Sequence, residues 1–551
     1  MSSVARSSGH IPGTPYAPRW LLLLAVSMSA FITGLDNTIL NIALPALQDD
    51  FDLSLSGLQW VGTSYILAFS SLLMVGGRLT DLFGRRRVLE AGMAIFTVAS
   101  VLAGIAPTGN TLIAARVLQG VGGALVLPST LTVIGSDLEE KDRQLGIGIW
   151  TGSIASAIAL GPVVGGGIIE IAHWSWVFFI NLPIGIVAII LVRMTVQPQD
   201  VVLPPRKELI ARFDVPGLVT SSLALMSFTF VLVHGQEHGF GSPLVVTAIV
   251  VGLLSIITFV RTEQLTEYPL VDLSLFESKI FAGGTAAQVI WGLGINGVLF
   301  FTSLFLQQVL GLSAWEAGLF YVPLAVTIGI GVAIGNVMSN AWGANVATAI
   351  GMVLIAAGLL MGVFIDQDSP PWHFLIGLMV VGLGSGLTTP MTAAVMDEVD
   401  FEKAGGAAAV VSTAREISGV IGIAVIGAVL VVRRELAIDE GLDKTTAFVT
   451  GYHWGLYVAT AVMMLGAAVS YFTLTTKQQR IDLYAERKRI ADEELAAAEA
   501  AGMTVDHHDE ERVIDATTPA DAAIAVAEAL HAAEEIHAEH QHAESQTSTR
   551  R

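Results

Sequence analysis

Trp20 to Leu47 reads WLLLLAVSMSAFITGLDNTILNIALPAL, a run of 28 residues with one charged side chain, Asp36. A bilayer-spanning helix needs about 20 such residues. At about 1.5 Å per residue, roughly 24 Å of helix separates Trp20 from Asp36, which places the carboxyl group past the middle of a bilayer. An acid at that depth is costly. It is retained where it faces a bundle interior or a water-filled cavity, and there it is a candidate carrier of a proton or a cation.

The rest of the chain agrees with a membrane setting. Its 551 residues are 53% hydrophobic and only 14% charged, with a mean hydropathy of +0.67, too apolar for a soluble multidomain protein. There is no cysteine, so disulfide and thiolate chemistry are excluded. The net charge of −20 is partly a tail property, since residues 477–551 hold 17 acids against 8 Lys and Arg. The stretch Met1–Arg19 lacks a cleavage site after a short apolar core, and the Trp20 run is too long for a signal peptide, so a retained transmembrane helix is expected.

Apolar runs long enough to span recur at 20–47, 56–77, 88–106, 111–135, 145–169, 173–194, 214–233, 243–260, 280–308, 315–338, 344–365, 372–396, 406–432 and 452–475, fourteen in all. With a cytoplasmic N-terminus, the N-terminal tail and the even-numbered exits up to Lys403 hold 15 Lys and Arg and the C-terminal tail 8, against Arg433, Arg434 and Lys444 outside. This asymmetry puts both termini inside. The connections Asp49-Asp50-Phe51-Asp52 and Asp366-Gln367-Asp368 then fall outside, and Arg85-Arg86-Arg87 inside.

Spans 7 and 8 have few polar residues and polar flanks around Pro204-Pro205-Arg206-Lys207 and Arg261–Lys279, which marks them as an insert. Removing them leaves six spans on each side. Spans 5 and 13 are alike, both rich in Gly, Ala and Ser, with Gly161-Pro162-Val163-Val164-Gly165-Gly166 in one and Gly419-Val420-Ile421-Gly422 in the other. The expected fold is therefore an all-α integral membrane protein of two six-helix pseudo-repeat bundles with a two-helix insert. Its units are a cytoplasmic tail at 1–19, bundles at 20–194 and 280–475, an insert with linkers at 195–279, and an acidic Ala/Glu/His-rich tail at 476–551, partly helical or disordered. His507, His508, His531, His537, His540 and His542 in that tail read as polar filler, and no metal site is assigned.

The loop Gly77-Arg78-Leu79-Thr80-Asp81-Leu82-Phe83-Gly84-Arg85-Arg86-Arg87-Val88-Leu89 joins spans 2 and 3. It resembles the signature loop of the major facilitator superfamily, matching at Gly77, Leu79, Asp81, Gly84, Arg85, Arg86 and Leu89 and departing at Leu82, where many members carry a basic residue. Arg116-Val117-Leu118-Gln119-Gly120 in span 4, the Gly161–Gly166 motif and the Leu35–Pro45 stretch extend the likeness to the fourteen-helix drug:proton antiporter branch (EmrB/QacA-like), over about residues 20–475. Ser339–Asn345 stands where a second copy of the loop would lie and has lost its charges.

The resemblance implies a conformational gate at Gly77, Asp81, Gly84, Arg85 and Arg86. Asp81 is expected to pair with neighbouring arginines and with the positive N-terminal end of span 13 near Ala404–Gly406. It also reads Gly161, Pro162, Gly165 and Gly166 as the mark of an exporter, though small residues four apart and a proline also suit close, kinked helix packing.

Arg116 lies at a depth comparable to Asp36, so a pair is possible, and the two form the candidate proton-coupling site. Arg415 and Glu416, adjacent in span 13, are expected to serve different neighbours. Asn37, Asn41, Trp60, Tyr65, Gln119, Gln288, Trp291, Asn296 and Tyr321 are the candidate walls of a substrate cavity. Span 10 carries no acid deeper than Glu316, which favours neutral or monocationic cargo over dications.

No Gly-Lys dipeptide occurs, so ATP does not drive the protein directly. No enzyme constellation falls within the spans. The expected activity is proton-coupled export of a lipophilic drug or antibiotic by a monomer in the cell membrane, with no cofactor and no nucleic-acid partner. Proton-coupled metabolite uptake, and a transporter-like sensor or scaffold using the acidic tail, are the alternatives.

Overall fold

A computed structural model describes residues 18–138, 140–199, 214–266, 269–399, 404–479, 481, 482, 485 and 489. Most of the N-terminal tail, the Pro204–Lys207 connection and the histidine-bearing tail lie outside the described residues. Fourteen described helices are long and apolar enough to cross a membrane. They are α1 (Arg19–Phe51), α2 (Leu55–Thr80), α3 (Arg85–Gly104), α4 (Gly109–Asp137), α5 (Leu145–Ile171), α6 (Trp176–Thr195), α7 (Val215–Gly235), α8 (Pro243–Leu265), α9 (Lys279–Val309), α10 (Ala314–Trp342), α11 (Ala344–Gly362), α12 (Pro371–Met396), α13 (Gly406–Asp439) and α14 (Lys444–Thr473). No strand occurs among the described residues.

Polar caps mark where helices begin. Ser54, Thr108, Asp214, Ser242, Ser278, Ser313 and Asp443 each accept backbone N–H bonds at a helix start. Asp443 also accepts from Thr446 Oγ1 at 2.6 Å. The Thr446 side chain first, and then the backbone N–H groups, hold its carboxyl below the usual range. Several helices outrun their apolar runs: α13 continues through Arg433 and Arg434 to Asp439, and α14 starts at Lys444. The Arg433 guanidinium lies 3.7 Å over the Trp454 ring, which gives this polar extension a packing partner.

Breaks in helices follow prolines. α6 steps at Ile180, three residues before Pro183, α10 at Phe320, three before Pro323, and α12 at Thr388 and Thr389, just before Pro390. Each proline lacks an N–H and crowds the carbonyl one turn back. α9 instead ends in a π turn, Phe305–Val309.

Packing repeats between the two bundles. α1 lies on α5 as α9 lies on α13, and α2 and α3 lie on α4 as α10 and α11 lie on α12. α1 and α3 meet α6 as α9 and α11 meet α14. α7 and α8 pair with each other, and α7 rests on α2 and α13. The described helices thus form two six-helix bundles of one plan with a two-helix insert.

The bundles meet mainly toward the end that carries the Asp49–Asp52 connection, called here the acidic end. There Gln307 Nε2 on α9 donates to Ile42 O on α1 at 3.1 Å, and Gln308 Nε2 to Gln48 Oε1 at 2.9 Å. Gly166 of α5 lies against Ala314 and Trp315 of α10, and Gly318 of α10 against Pro162 and Val163 of α5, so close that a Cβ on either would overlap backbone. Gln59 of α2 touches Gly427 of α13. Toward the opposite, basic end, Gly148 and Gly152 on α5 and Gly406 on α13 face open space.

Candidate functional site

Asp36 is 1% exposed, and Arg116 and Gln119, one turn apart on α4, are fully buried beside it. Arg116 Nη1 donates to Asp36 Oδ2 and to Gln119 Oε1 at 3.0 Å. Gln119 Nε2 donates to Asp36 Oδ1 at 3.0 Å and to Ser100 Oγ of α3 at 2.8 Å. Asn181, the first residue after the step in α6, donates to the same Oδ1 at 2.8 Å and to Ser100 Oγ at 3.3 Å. The Arg116 Nε donates to Val61 O at 3.4 Å. Its guanidinium lies 4.6 Å over the Tyr65 ring and 6.0 Å from Phe178, while Tyr65 OH donates to Thr33 O at 3.4 Å.

The carboxylate thus has a cation on one oxygen and two amide donors on the other, the kind of compensation a buried ion pair requires. The set is incomplete in one respect. Arg116 Nη2 and Asn181 Oδ1 are buried with no hydrogen-bond partner, each at a cost of about 1–3 kcal/mol. One donor of the guanidinium and one acceptor of the amide are thus left over inside the cluster.

Tyr65 and Gln119 therefore belong to the acid cluster inside the first bundle. Trp60 stands against Phe230 of α7, with ring centroids 6.4 Å apart. Asn37 and Asn41, one turn apart on α1, are half-buried. In the second bundle Gln288 is buried and accepts from Thr392 Oγ1 at 3.4 Å. Tyr321 donates to Leu299 O at 3.2 Å. Trp291 and Asn296 are half-buried, the former with a partnerless indole N–H and the latter beside Gly419. Arg415 and Glu416 correct an expectation: they contact each other at 3.3 Å. Adjacent Cβ atoms diverge on a helix, but these side chains are long enough to curl back together.

On α5, Gly161 faces Thr38 and Ile39 of α1, Gly165 faces Ile39, and Gly166 faces α10. The motif is a three-helix joint linking the helix that bears Asp36 to the second bundle.

At the basic end, Gly84 turns α2 into α3 with φ 85°, a conformation that favours glycine. Arg85 pairs with Asp137 of α4, whose other oxygen accepts from Gln197 N at 3.4 Å. Arg86 and Arg193 share Glu90 at 3.1 and 3.3 Å. Thr80 and Ser129 hydroxyls meet at 2.8 Å, and Gly77 lies near Pro128. Asp81 is in the last turns of the helix before Gly84, and its side chain lies outside the described residues, as does the expected contact with α13.

Ser100, Asn181, Asp137 and Glu90 are the partners that sequence reasoning missed. Asn181, an amide at a proline-broken point of an apolar span, carried the most usable signal.

The family model described as Major Facilitator Superfamily matches residues 26–423. The Puromycin resistance protein pur8 of Streptomyces alboniger is 30% identical over 503 residues, 88% of this chain and 96% of that protein. The Tetracenomycin C resistance and export protein of Streptomyces glaucescens is 31% identical over 507 residues, covering 84% and 93%. The Methylenomycin A resistance protein of Bacillus subtilis (strain 168) is 30% identical over 428 residues, covering 77% and 90%. Among solved structures, a bacterial homolog to the human lysosomal transporter Spinster aligns with TM-score 0.61 at 16% identity over 86% of this chain and 99% of that one. A D-xylose-proton symporter aligns with TM-score 0.58 at 14% identity, covering 84% and 99%.

Proposed function

We propose that this chain, which belongs to the major facilitator superfamily, exports lipophilic, neutral or monocationic compounds in exchange for protons, with Asp36 as the proton carrier. It is a multi-pass membrane transporter of small molecules and not an enzyme. Relatives named for antibiotic resistance and export support efflux as the direction. The buried Asp36–Arg116 pair carries the rest of the reading.

In this reading both termini are cytoplasmic, the basic end faces the cytoplasm of a cell membrane, and residues 20–194 and 280–475 move as two bodies. Contacts gathered at the acidic end, with open space at the basic end, correspond to a state open to the cytoplasm. Protonation of Asp36 removes the charge that holds Arg116, whose free Nη2 then finds a new acceptor. The change passes along α1 to Thr38 and Ile39, through Gly161 and Gly165 into α5, and from Gly166 into α10. Asn37, Asn41, Trp291 and Asn296, all half-buried on α1 and α9, are the residues we place against cargo. Gly77, Asp81, Gly84, Arg85 and Arg86 close the basic end in the alternate state.

The test is transport of a cationic and a neutral dye in proteoliposomes under an imposed pH gradient. Asp36→Asn is expected to abolish gradient-driven accumulation while leaving dye binding in place. Full gradient-driven transport by that variant overturns the assignment.

A further inference from the structure

The α7–α8 insert buries two acids at its basic end, Asp214 at 2% exposure and Glu263 at 5%. Asp214 caps α7 from a left-handed backbone conformation, φ 42°. Its Oδ1 accepts from Gly217 N at 3.1 Å and its Oδ2 from Leu270 N at 3.4 Å. Glu263 Oε2 accepts from Val271 N at 3.0 Å. The remaining oxygen, Glu263 Oε1, is buried and has no hydrogen-bond partner. It crowds the same point beside Gly217 as Asp214 Oδ2.

Two ionised carboxylates in this position would repel strongly in a low-dielectric setting. A single proton between them converts the repulsion into a short O–H···O⁻ bond and supplies the partner that Oε1 lacks. We propose that Asp214 and Glu263 bind one proton between them, forming a proton site separate from Asp36 that fastens the linker leading from α8 into the second bundle.

The linker is strapped across the pair, with the Leu270 N–H on one acid and the Val271 N–H on the other. Its Pro269 carbonyl accepts from Arg78 of α2, so the strap also touches the signature segment. Among the described residues Asp214 is the acid set against Glu263. Arg78 is turned to the Pro269 carbonyl, and Asp272 of the linker accepts from Ser274 N at 3.0 Å. Arg261 on α8 is exposed. Residues 200–213, with Asp200, Arg206, Lys207, Glu208 and Arg212, and residues 267–268, with Glu267, lie outside the described residues. Loss of the proton leaves two anions, drives the start of α7 from the end of α8, and pulls the two N–H anchors apart.

The absence of cysteine makes the test clean. Spin labels on Gln264→Cys and Ser274→Cys, both at exposed positions, report the distance from α8 to the linker in liposomes. The distance is expected to lengthen as pH rises, and to stay short at every pH when Glu263→Gln is added, because the amide keeps a donor toward Asp214. In isotope-edited infrared spectra at neutral pH, the carboxylic C=O band of a protonated acid is expected to diminish in Glu263→Gln. Asp214→Asn provides the same subtraction if Glu263→Gln does not fold. A distance that ignores pH in the parent, or spectra in which neither substitution removes a protonated-acid band, overturns the proposal. Neither readout involves transport, so the outcome is independent of the role given to Asp36.

Discussion

In the first bundle α1, α3, α4 and α6 close around Asp36 and Arg116. In the second, α9, α11, α12 and α14 close around Ile295, Val298, Leu359, Leu378, Val381 and Leu456. The polar contact at this second centre is the Thr302 and Tyr452 hydroxyl pair at 2.8 Å, and Phe305 stacks on Tyr452 at 4.7 Å and on Phe374 at 5.5 Å. Counted from the helix start, Asp36 lies 17 positions after Arg19, and Asn296 lies 17 after Lys279. One helix arrangement is thus filled by a charge pair in one bundle and by hydrocarbon and rings in the other. The fold does not require the charges, since the second bundle manages without them.

That contrast can be tested by making the first centre resemble the second. Arg116→Leu should cost about 3–5 kcal/mol, because Asp36 is left as an uncompensated buried charge. The double variant Asp36→Leu, Arg116→Leu should regain most of that loss, since an apolar replacement of a buried pair is often neutral or better. Thermal unfolding in lipid nanodiscs measures both, and a double variant as unstable as the single one would break the comparison. Next in size, Gly166→Val should cost about 1–3 kcal/mol by overpacking and lengthen the α5–α10 distance at the acidic end, read by spin labels. Tyr452→Phe should cost about 1 kcal/mol, with transport retained, because Thr302 keeps its bond to Val298 O at 2.9 Å. The smallest effect, about 0.5 kcal/mol, belongs to Tyr65→Phe, which loses a long bond to Thr33 O and keeps the ring under Arg116.

The turns of the two bundles differ in the same direction. Gly84 and Gly343 both adopt positive φ, 85° and 104°, but the first turn is held by Arg85 on Asp137. The second is held by backbone, through the Gly343–Thr476 bridge and Asn345 N to Thr475 O at 3.3 Å. The loss of charge in Ser339–Asn345 was visible in the sequence, but the strand-like contact that replaces it was not.

The same division runs through the site. Asp36 and Arg116 were legible because a charge in an apolar run is costly and must have a reason. Ser100 and Asn181 were not, because a hydroxyl or an amide satisfies itself easily in a membrane helix and leaves no anomaly. Trp60 carried no information about its neighbour: only assembly shows that α7 lies over it. Counting spans was enough for the fourteen helices, since length and hydropathy are properties of each segment. Which faces meet depends on partners, and one sequence does not disclose them.

The π turn at Phe305–Val309 closes with Leu310 N on Phe305 O at 3.1 Å, one residue wider than an α turn. Gln307 and Gln308 leave this turn to reach Ile42 and Gln48. In helical terms it is a turn holding one residue more than an α turn does, and the widened turn is part of a joint. Removing one residue there would let the helix close with ordinary α turns and change the directions of the side chains within the turn itself, Gln307 and Gln308 among them. The chain would still read as an uninterrupted transmembrane helix, yet its grip on α1 would point elsewhere.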